Sequence, residues 1–359
     1  MHAARIDDDL PGHVHRVLAD YFQSRRAQTD SIGTDISDAL TALADFVLGG
    51  GKRVRPAFAW WGWRGAGGPA DGPVAEAVLR AISALELLQA GALVHDDLMD
   101  ASSVRRGAPT VHVAFAARHR ADGLRGEPER FGLAAAVLLG DVALAWAEDR
   151  FCTAGLPADA LARAVQPWQA MRTEMLAGQY IDMLTQARGD ESAEAALRID
   201  RWKTAAYTVE RPLHIGAALA DATPDLITAY RRFGADLGIA FQLRDDLLGV
   251  FGDPAVTGKP AGDDLREGKR TLLMALGLRH ARPADAALLR DCLGRADLGV
   301  DEVARVRGLL VDVGAVAAVE RRITELTAAA LDALHDAPIA APAAERLAEL
   351  AVSATRRDR

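Results

Sequence analysis

Apolar residues recur at three- and four-residue spacing along nearly the whole chain, in segments near 14–27, 35–48, 52–64, 74–99, 131–151, 158–184, 193–221, 224–251, 271–281, 284–295, 301–312 and 315–334. That period belongs to helices with a buried face. Alternation of β-branched and aromatic residues, the mark of a half-buried strand, is scarce, so the pattern predicts an all-α protein. Breaker-rich stretches divide the segments: GAGGPADGP at 65–73, HRADGLRGEPER at 119–130, ARGDES at 187–192 and GDPAVTGKPAGDDLREGKR at 252–270. None is long and uniform enough to join separate domains, and no fixed-period repeat occurs, so residues 1–359 read as one domain. The alanine-rich stretch 336–348 predicts a short terminal helix.

Charge and cysteine usage exclude several classes. The net charge is −8 with basic residues interspersed among acids, which argues against a general nucleic-acid binder. Cys152 and Cys292 are the two cysteines and form no CxxC, so a disulfide framework is excluded and a reducing cytoplasm fits. The start, MHAARIDDDLPGH, has no apolar core of signal-peptide length. The longest apolar run, GLAAAVLLG, is cut by Asp141 short of a membrane span.

The stretch HDDLMDASSVRR at 95–106 asks most of its surroundings. Three carboxylates within five residues repel one another unless something positive screens them. On a helix over 74–99, Asp96 and Asp100 stand one turn, about 5.4 Å, apart on one face, while Asp97 points elsewhere. Acids at a helix C-terminus also oppose the macrodipole, which sharpens the need for a cation. Magnesium suits such a pair, since it keeps waters and takes its other ligands from a few carboxylates and phosphate oxygens. FQLRDD at 241–246 repeats the setting, with Asp245 and Asp246 closing a second apolar helix. Two helices facing each other across a cavity can deliver both acidic pairs to one metal cluster. Lys52, Arg53 and Arg55 in GGGKRVRP, with Arg105 and Arg106, supply the basic groups that grip phosphate. The competing reading is of solvated helix ends and surface charge runs.

The ordered blocks GGKRVRP, HDDLMDASSVRRGAPTVH, GQYIDM, KTAAYTVERP and FQLRDDLLGVFGD with GKPAGDDLREGKR resemble the trans-type isoprenyl (polyprenyl) diphosphate synthases over residues 49–273, most of all the geranylgeranyl-forming members. The resemblance implies an isoprenoid synthase fold, antiparallel helices around a deep central cavity, in a homodimer. It implies three Mg2+ ions, replaceable by Mn2+, held by Asp96, Asp100 and Asp245 and supported by Asp97, Asp246 and Asp263. Isopentenyl diphosphate falls to Lys52, Arg55, Gln89 and Arg106, and the allylic diphosphate to Arg105, Lys203, Lys259 and Lys269. Thr204 and Gln242 turn oxygens towards the allylic carbocation.

Chain length follows from what plugs the cavity. Gly91 and Ala92 leave the floor open before Asp96, and Leu88, with Leu85 and Leu87, closes it deeper on the same helix. This predicts the twenty-carbon product, with a longer polyprenyl or a fifteen-carbon product as alternatives. The second motif departs from the family pattern: Gly249 stands where a third aspartate is common, with Asp253 in the loop as a substitute. His95 and His112 read as structural histidines, Trp60, Trp61 and Trp63 as packing residues, and Asp141 as the partner of a buried group. A class I terpene cyclase has no use for the second diphosphate site, and a noncatalytic subunit of a heteromeric synthase is expected to carry a broken first motif.

Overall fold

Segments with the 3.6-residue period become helices, as the spacing predicts. The computed structural model describes residues 5–253, 262–335 and 337–356, and among them the only strands are the two-residue β1 (Val104–Arg105) and β2 (Ala108–Pro109). The helices are α1 (Leu10–Thr29), α2 (Thr34–Leu48), α3 (Val54–Gly65), α4 (Gly72–Met99), α5 (Val111–Ala121), α6 (Pro128–Cys152), α7 (Ala158–Arg188) and α8 (Ala193–Ile199). A π-helical segment (Asp200–Glu210) follows, then α9 (Arg211–Leu219), α10 (Pro224–Phe251), α11 (Asp263–Glu267), α12 (Leu272–His280), α13 (Pro283–Cys292), α14 (Val300–Asp312), α15 (Ala315–His335) and α16 (Ala343–Thr355). Several starts carry the expected caps: Asp9 accepts from the Gly12 amide, Ser192 from Ala195 and Thr271 from Met274.

Two compact units emerge from a chain expected to form one domain. The first comprises Met1–Ser103, Ala108–Gln166 and Pro212–Ala222; the second comprises Val104–Gly107, Pro167–Arg211 and Thr223–Arg359.

In the first unit α4 is the core helix. It is apolar around nearly its whole circumference, and Ala81, Ile82, Ala84, Leu85, Leu87 and Leu88 are all buried, as befits a helix enclosed by others. Its main neighbour is α6. The tryptophans of α3 are core residues: Trp60 is fully buried and donates to Asp7 (2.8 Å), and Trp63 donates to the Pro69 carbonyl (3.1 Å). Both α4 and α6 are long and apolar enough to cross a bilayer by length and composition only, a test that core helices also pass, and the single Asp141 does not interrupt α6. The apolar window of α4 is 78% buried, whereas that of α6 is 33% buried, and Phe131, Leu133, Val137 and Leu138 of α6 are exposed.

In the second unit α10 plays the central part, packed along the π-helical segment and along α15. Arg244 fixes it there, with bidentate bonds to Glu320 of α15 (2.7 and 2.6 Å) and a bond to the Thr355 carbonyl of α16 (2.8 Å).

Four boundaries differ from the sequence reading. Helix α5 falls where no helix is predicted, and Gly132 of α6 explains its docking: a Cβ there would lie 2.1 Å from the His112 carbonyl oxygen, so only glycine lets α5 come so close. The single helix expected over 193–221 is interrupted by the π-helical turns. Helix α11 lies inside the stretch 252–270 read as a loop. The terminal helix sits at 343–355 because Pro338 and Pro342 interrupt the alanine-rich stretch that precedes it.

Candidate active site

In the first unit the acidic motif closes α4. Asp96 is half-buried and its carbonyl accepts from the Asp100 amide (2.8 Å), so the two carboxylates sit one helical turn apart at the end where the dipole is negative. Asp97 is buried, 1% exposed, with His112 in its electrostatic reach. Burial holds the His112 imidazole below its usual pKa, and the Asp97 charge works the other way. Ala101 takes a left-handed conformation (φ 52°), and Thr110 fastens the chain that leaves the helix, its hydroxyl donating to the Ser102 carbonyl (2.8 Å).

The basic loop before α3 is anchored to the same helix. Arg53, left-handed at φ 50°, makes a buried ion pair with Glu86 of α4 (2.5 Å) and donates to the Val47 carbonyl (2.9 Å). Arg53 is therefore used structurally, and that ion pair fastens exposed Lys52 and buried Arg55 to a helix that carries Gln89 three residues on from Glu86.

Gly91 faces α6. A Cβ there would lie 2.9 Å from Leu144 Cγ and 3.0 Å from the Gly140 carbonyl oxygen, so the missing side chain lets two helices approach. Ala92 is half-buried and Leu88 is fully buried. His95 packs its ring on Gly140 and bonds the Val137 carbonyl (3.1 Å). Asp141, expected to pair with a buried group, has an exposed side chain 3.8 Å from His95: α6 leaves that face uncovered, so its carboxylate stays in water.

The second unit holds a denser cluster. Asp245 is exposed, while Asp246 one residue on is buried at 4% exposure. Thr204 of the π-helical segment donates to Gln242 Oε1 (2.7 Å), and Gln242 Nε2 donates to Asp246 Oδ1 (2.6 Å). Lys203 pairs with Asp182 of α7 (2.6 Å), whose other oxygen accepts from Gln186 (3.1 Å). Lys269 meets Glu267 (2.9 Å) and Asp264 (3.4 Å). Arg105 is half-buried in β1, and Arg106 is exposed and left-handed at φ 54° in the turn that follows. Lys259 lies outside the described residues.

Burial, then the charge of Asp264, raises the Asp246 carboxyl to a pKa of about 8. Burial, with Asp246 and Asp182 as neighbours, pushes Asp200 well above the usual carboxylate range. Asp200 Oδ2 and Asp246 Oδ2 are buried without a hydrogen-bond partner among the described residues. Buried oxygens left in this way call for a partner such as a water or a cation. No group of three or more acids, histidines or cysteines closes into a cage among the described residues. A magnesium ion needs only one or two carboxylates and completes its shell with waters and phosphate oxygens.

Four acids here carry no role in the sequence reading: Asp182, Asp200, Asp264 and Glu267. Asp264 answers the departure at Gly249. A Cβ on Gly249 would lie 1.9 Å from Asp264 Oδ2, so the Asp264 carboxylate fills the place of the missing side chain. Its neighbour Asp263, singled out from the sequence, is half-buried in the same short helix. Gly249 itself is the sequence signal for Asp264, since a gap beside an acidic pair invites another group to occupy it. Asp182 lies in GQYIDM, and Asp200 has no signal of its own.

A family model described as polyprenyl synthetase matches residues 37–310. A geranylfarnesyl diphosphate synthase of Aeropyrum pernix is 33% identical over 83% of this chain and 87% of its own length. A geranylgeranyl diphosphate synthase of Mycobacterium tuberculosis is 35% identical over 71% of this chain and 68% of its own. Among solved structures, a geranylgeranyl pyrophosphate synthase from Corynebacterium glutamicum, complexed with isoprenyl diphosphate and magnesium, is 46% identical with a TM-score of 0.95, covering 98% of this chain and 99% of that one.

Proposed function

The chain belongs to the polyprenyl synthetase family and is a trans-prenyltransferase, and we propose that it condenses isopentenyl diphosphate with dimethylallyl, geranyl or farnesyl diphosphate to give geranylgeranyl diphosphate. The observation that carries the reading is the buried acidic cluster of the second unit, where unpartnered oxygens of Asp200 and Asp246 stand among Lys203, Lys269 and the Thr204–Gln242 pair.

Asp96, Asp100 and Asp245 would hold Mg2+, three ions in all, with Mn2+ able to replace them, and Asp97 and Asp246 would orient those ligands together with Asp264, which takes over beside Gly249 the part the sequence gives to Asp263. Bound there, the metal neutralises the diphosphate that leaves the allylic substrate. Arg105, Lys203, Lys259 and Lys269 grip that diphosphate, so the allylic C–O bond breaks with both electrons passing to pyrophosphate. The Thr204 and Gln242 oxygens, 2.7 Å apart, offer oriented dipoles to the resulting allylic cation. Lys52, Arg55, Gln89 and Arg106 hold isopentenyl diphosphate, whose double bond attacks the cation; a proton passes to the departing diphosphate and the product is five carbons longer.

Ala92 sets the open part of the floor and Leu88 its end, while Gly91 brings α4 and α6 together, which supports a twenty-carbon product. A longer product is the second reading, favoured by the relative named for geranylfarnesyl diphosphate. Ala92→Phe shortens the product under either; unchanged product length removes Ala92 from the floor.

The exposed apolar residues of α6, with Leu138 65% exposed, support a homodimer formed through this face. Leu138→Asp gives a monomer by light scattering, and a dimer of unchanged affinity assigns the interface elsewhere. Two cysteines without a disulfide support a cytoplasmic location. The reading as a whole is tested by incorporation of labelled isopentenyl diphosphate: it requires Mg2+ and is lost in Asp96→Ala, and incorporation indifferent to both overturns it.

A further inference from the structure

Residues 200–210 form an eleven-residue π-helix, closed by a hydrogen bond that the Arg211 amide donates to the carbonyl five residues back, at Ala206. Such segments are rare and usually a single turn. A π-helix is wider than an α-helix, so its neighbours must yield room. They do so with glycines. A Cβ on Gly178 of α7 would lie 2.2 Å from the Lys203 amide nitrogen, one on Gly238 of α10 would lie 2.4 Å from Ala205 Cα, and one on Gly234 would lie 2.4 Å from Glu210 Cα. The atoms met are backbone, which cannot swing aside as a side-chain tip does.

Each of the first two notches lies one turn before the group that receives the π-helical side chain. On α7, Gly178 receives the Lys203 backbone and Asp182 its ammonium (2.6 Å). On α10, Gly238 receives the Ala205 backbone and Gln242 accepts from the adjoining Thr204 hydroxyl (2.7 Å). Residues at i and i+4 share a helix face, so notch and partner act together on one stretch of backbone.

We infer that Gly178 and Gly238 are positioning residues: they seat the π-helix so that Lys203 and Thr204 reach their working places. The inference rests on the prenyl-transfer reading above. It follows that a methyl group at either site shifts a different function. Gly178→Ala moves Lys203, a diphosphate-gripping residue, and raises KM for the allylic diphosphate with the smaller change in kcat. Gly238→Ala moves Thr204, which faces the developing cation, and lowers kcat with KM nearly unchanged. Displacement of about an ångström suggests effects of roughly 10- to 100-fold.

The test compares wild type, Gly178→Ala, Gly238→Ala and the control Gly308→Ala, whose Cβ meets nothing within 4 Å. Steady-state kinetics with farnesyl diphosphate and isopentenyl diphosphate are paired with thermal unfolding of the same samples. The expected result is a KM effect in Gly178→Ala, a kcat effect in Gly238→Ala, and kinetics within twofold of wild type in the control. Kinetics at wild-type values in both glycine variants overturn the inference, as does the same combined loss of kcat and KM in both. Absence of cooperative unfolding in both variants also overturns it, because the glycines then serve folding and not positioning. A wild type that makes no elongated product defeats the prenyl-transfer reading and the inference with it, and is seen before any variant is compared.

Discussion

The two acidic motifs look alike as sequence and differ as structure. At the end of α4, Asp96 and Asp100 are set one turn apart by helix spacing, and the buried Asp97 has His112 nearby. At the end of α10, Asp245 and Asp246 are one part of a cluster to which α7, the π-helical segment and α11 each add charged groups. One motif is local, so its geometry can be counted along the chain. The other is assembled from residues 182 to 269, so its members are found only when the backbone brings them together.

The comparison is broken most severely by removing a metal-holding carboxylate from either side. Asp96→Ala and Asp245→Ala each lower kcat/KM by roughly a thousandfold, as expected when a group that stabilises developing charge is lost. Wild-type turnover in Asp245→Ala contradicts the second site. Next in size is the contrast between neighbours in α11. Asp264→Ala costs about 10- to 100-fold in activity or in Mg2+ affinity, whereas Asp263→Ala costs less than about threefold. Equal effects return the supporting role to Asp263. Gly249→Asp, which restores the common third aspartate, lowers activity, because its Cβ falls 1.9 Å from Asp264 Oδ2. An increase contradicts that packing.

Stability separates the two regions as well. Arg53→Ala leaves Glu86 buried and unpaired and costs about 3–5 kcal/mol, read as a lowered Tm. A Tm within a degree of wild type removes the anchor from the account. The smallest effect is in the second cluster. Burial raises the Asp246 carboxyl in the folded protein to a pKa of about 8 from its ordinary 3.8, so its contribution to stability is full below about pH 4 and is lost as pH rises through 8. In chelator-treated protein, Asp246→Asn therefore gains about 5 °C on wild type between pH 4 and 8. Parallel pH curves for the two proteins contradict a buried, neutral Asp246.

What the chain discloses follows from how far each feature reaches. Helix period gives α4 and α10 with their acidic ends, since an amphipathic or enclosed helix writes its spacing into consecutive residues. It misses α5, whose docking depends on Gly132 in another helix, and it cannot tell a π-helical turn from an α-helical one at 200–210, where glycines 178, 234 and 238 make the room. The family resemblance picks out Lys203, Thr204, Gln242 and Asp246 singly and does not give the bonds that join Thr204 to Asp246 through Gln242. Arg53 looked like its neighbours Lys52 and Arg55 until Glu86, thirty-three residues on, gave it a partner. Asp264 is visible only through the space at Gly249.

The account's central claim is a prenyl elongation that stops at twenty carbons. It is tested most directly by incubating the purified protein with isopentenyl diphosphate, Mg2+ and farnesyl diphosphate, then taking the mass of the dephosphorylated product. A single twenty-carbon alcohol is the predicted result; a ladder of longer chains contradicts the floor at Leu88, and no product containing isopentenyl carbon contradicts the elongation itself.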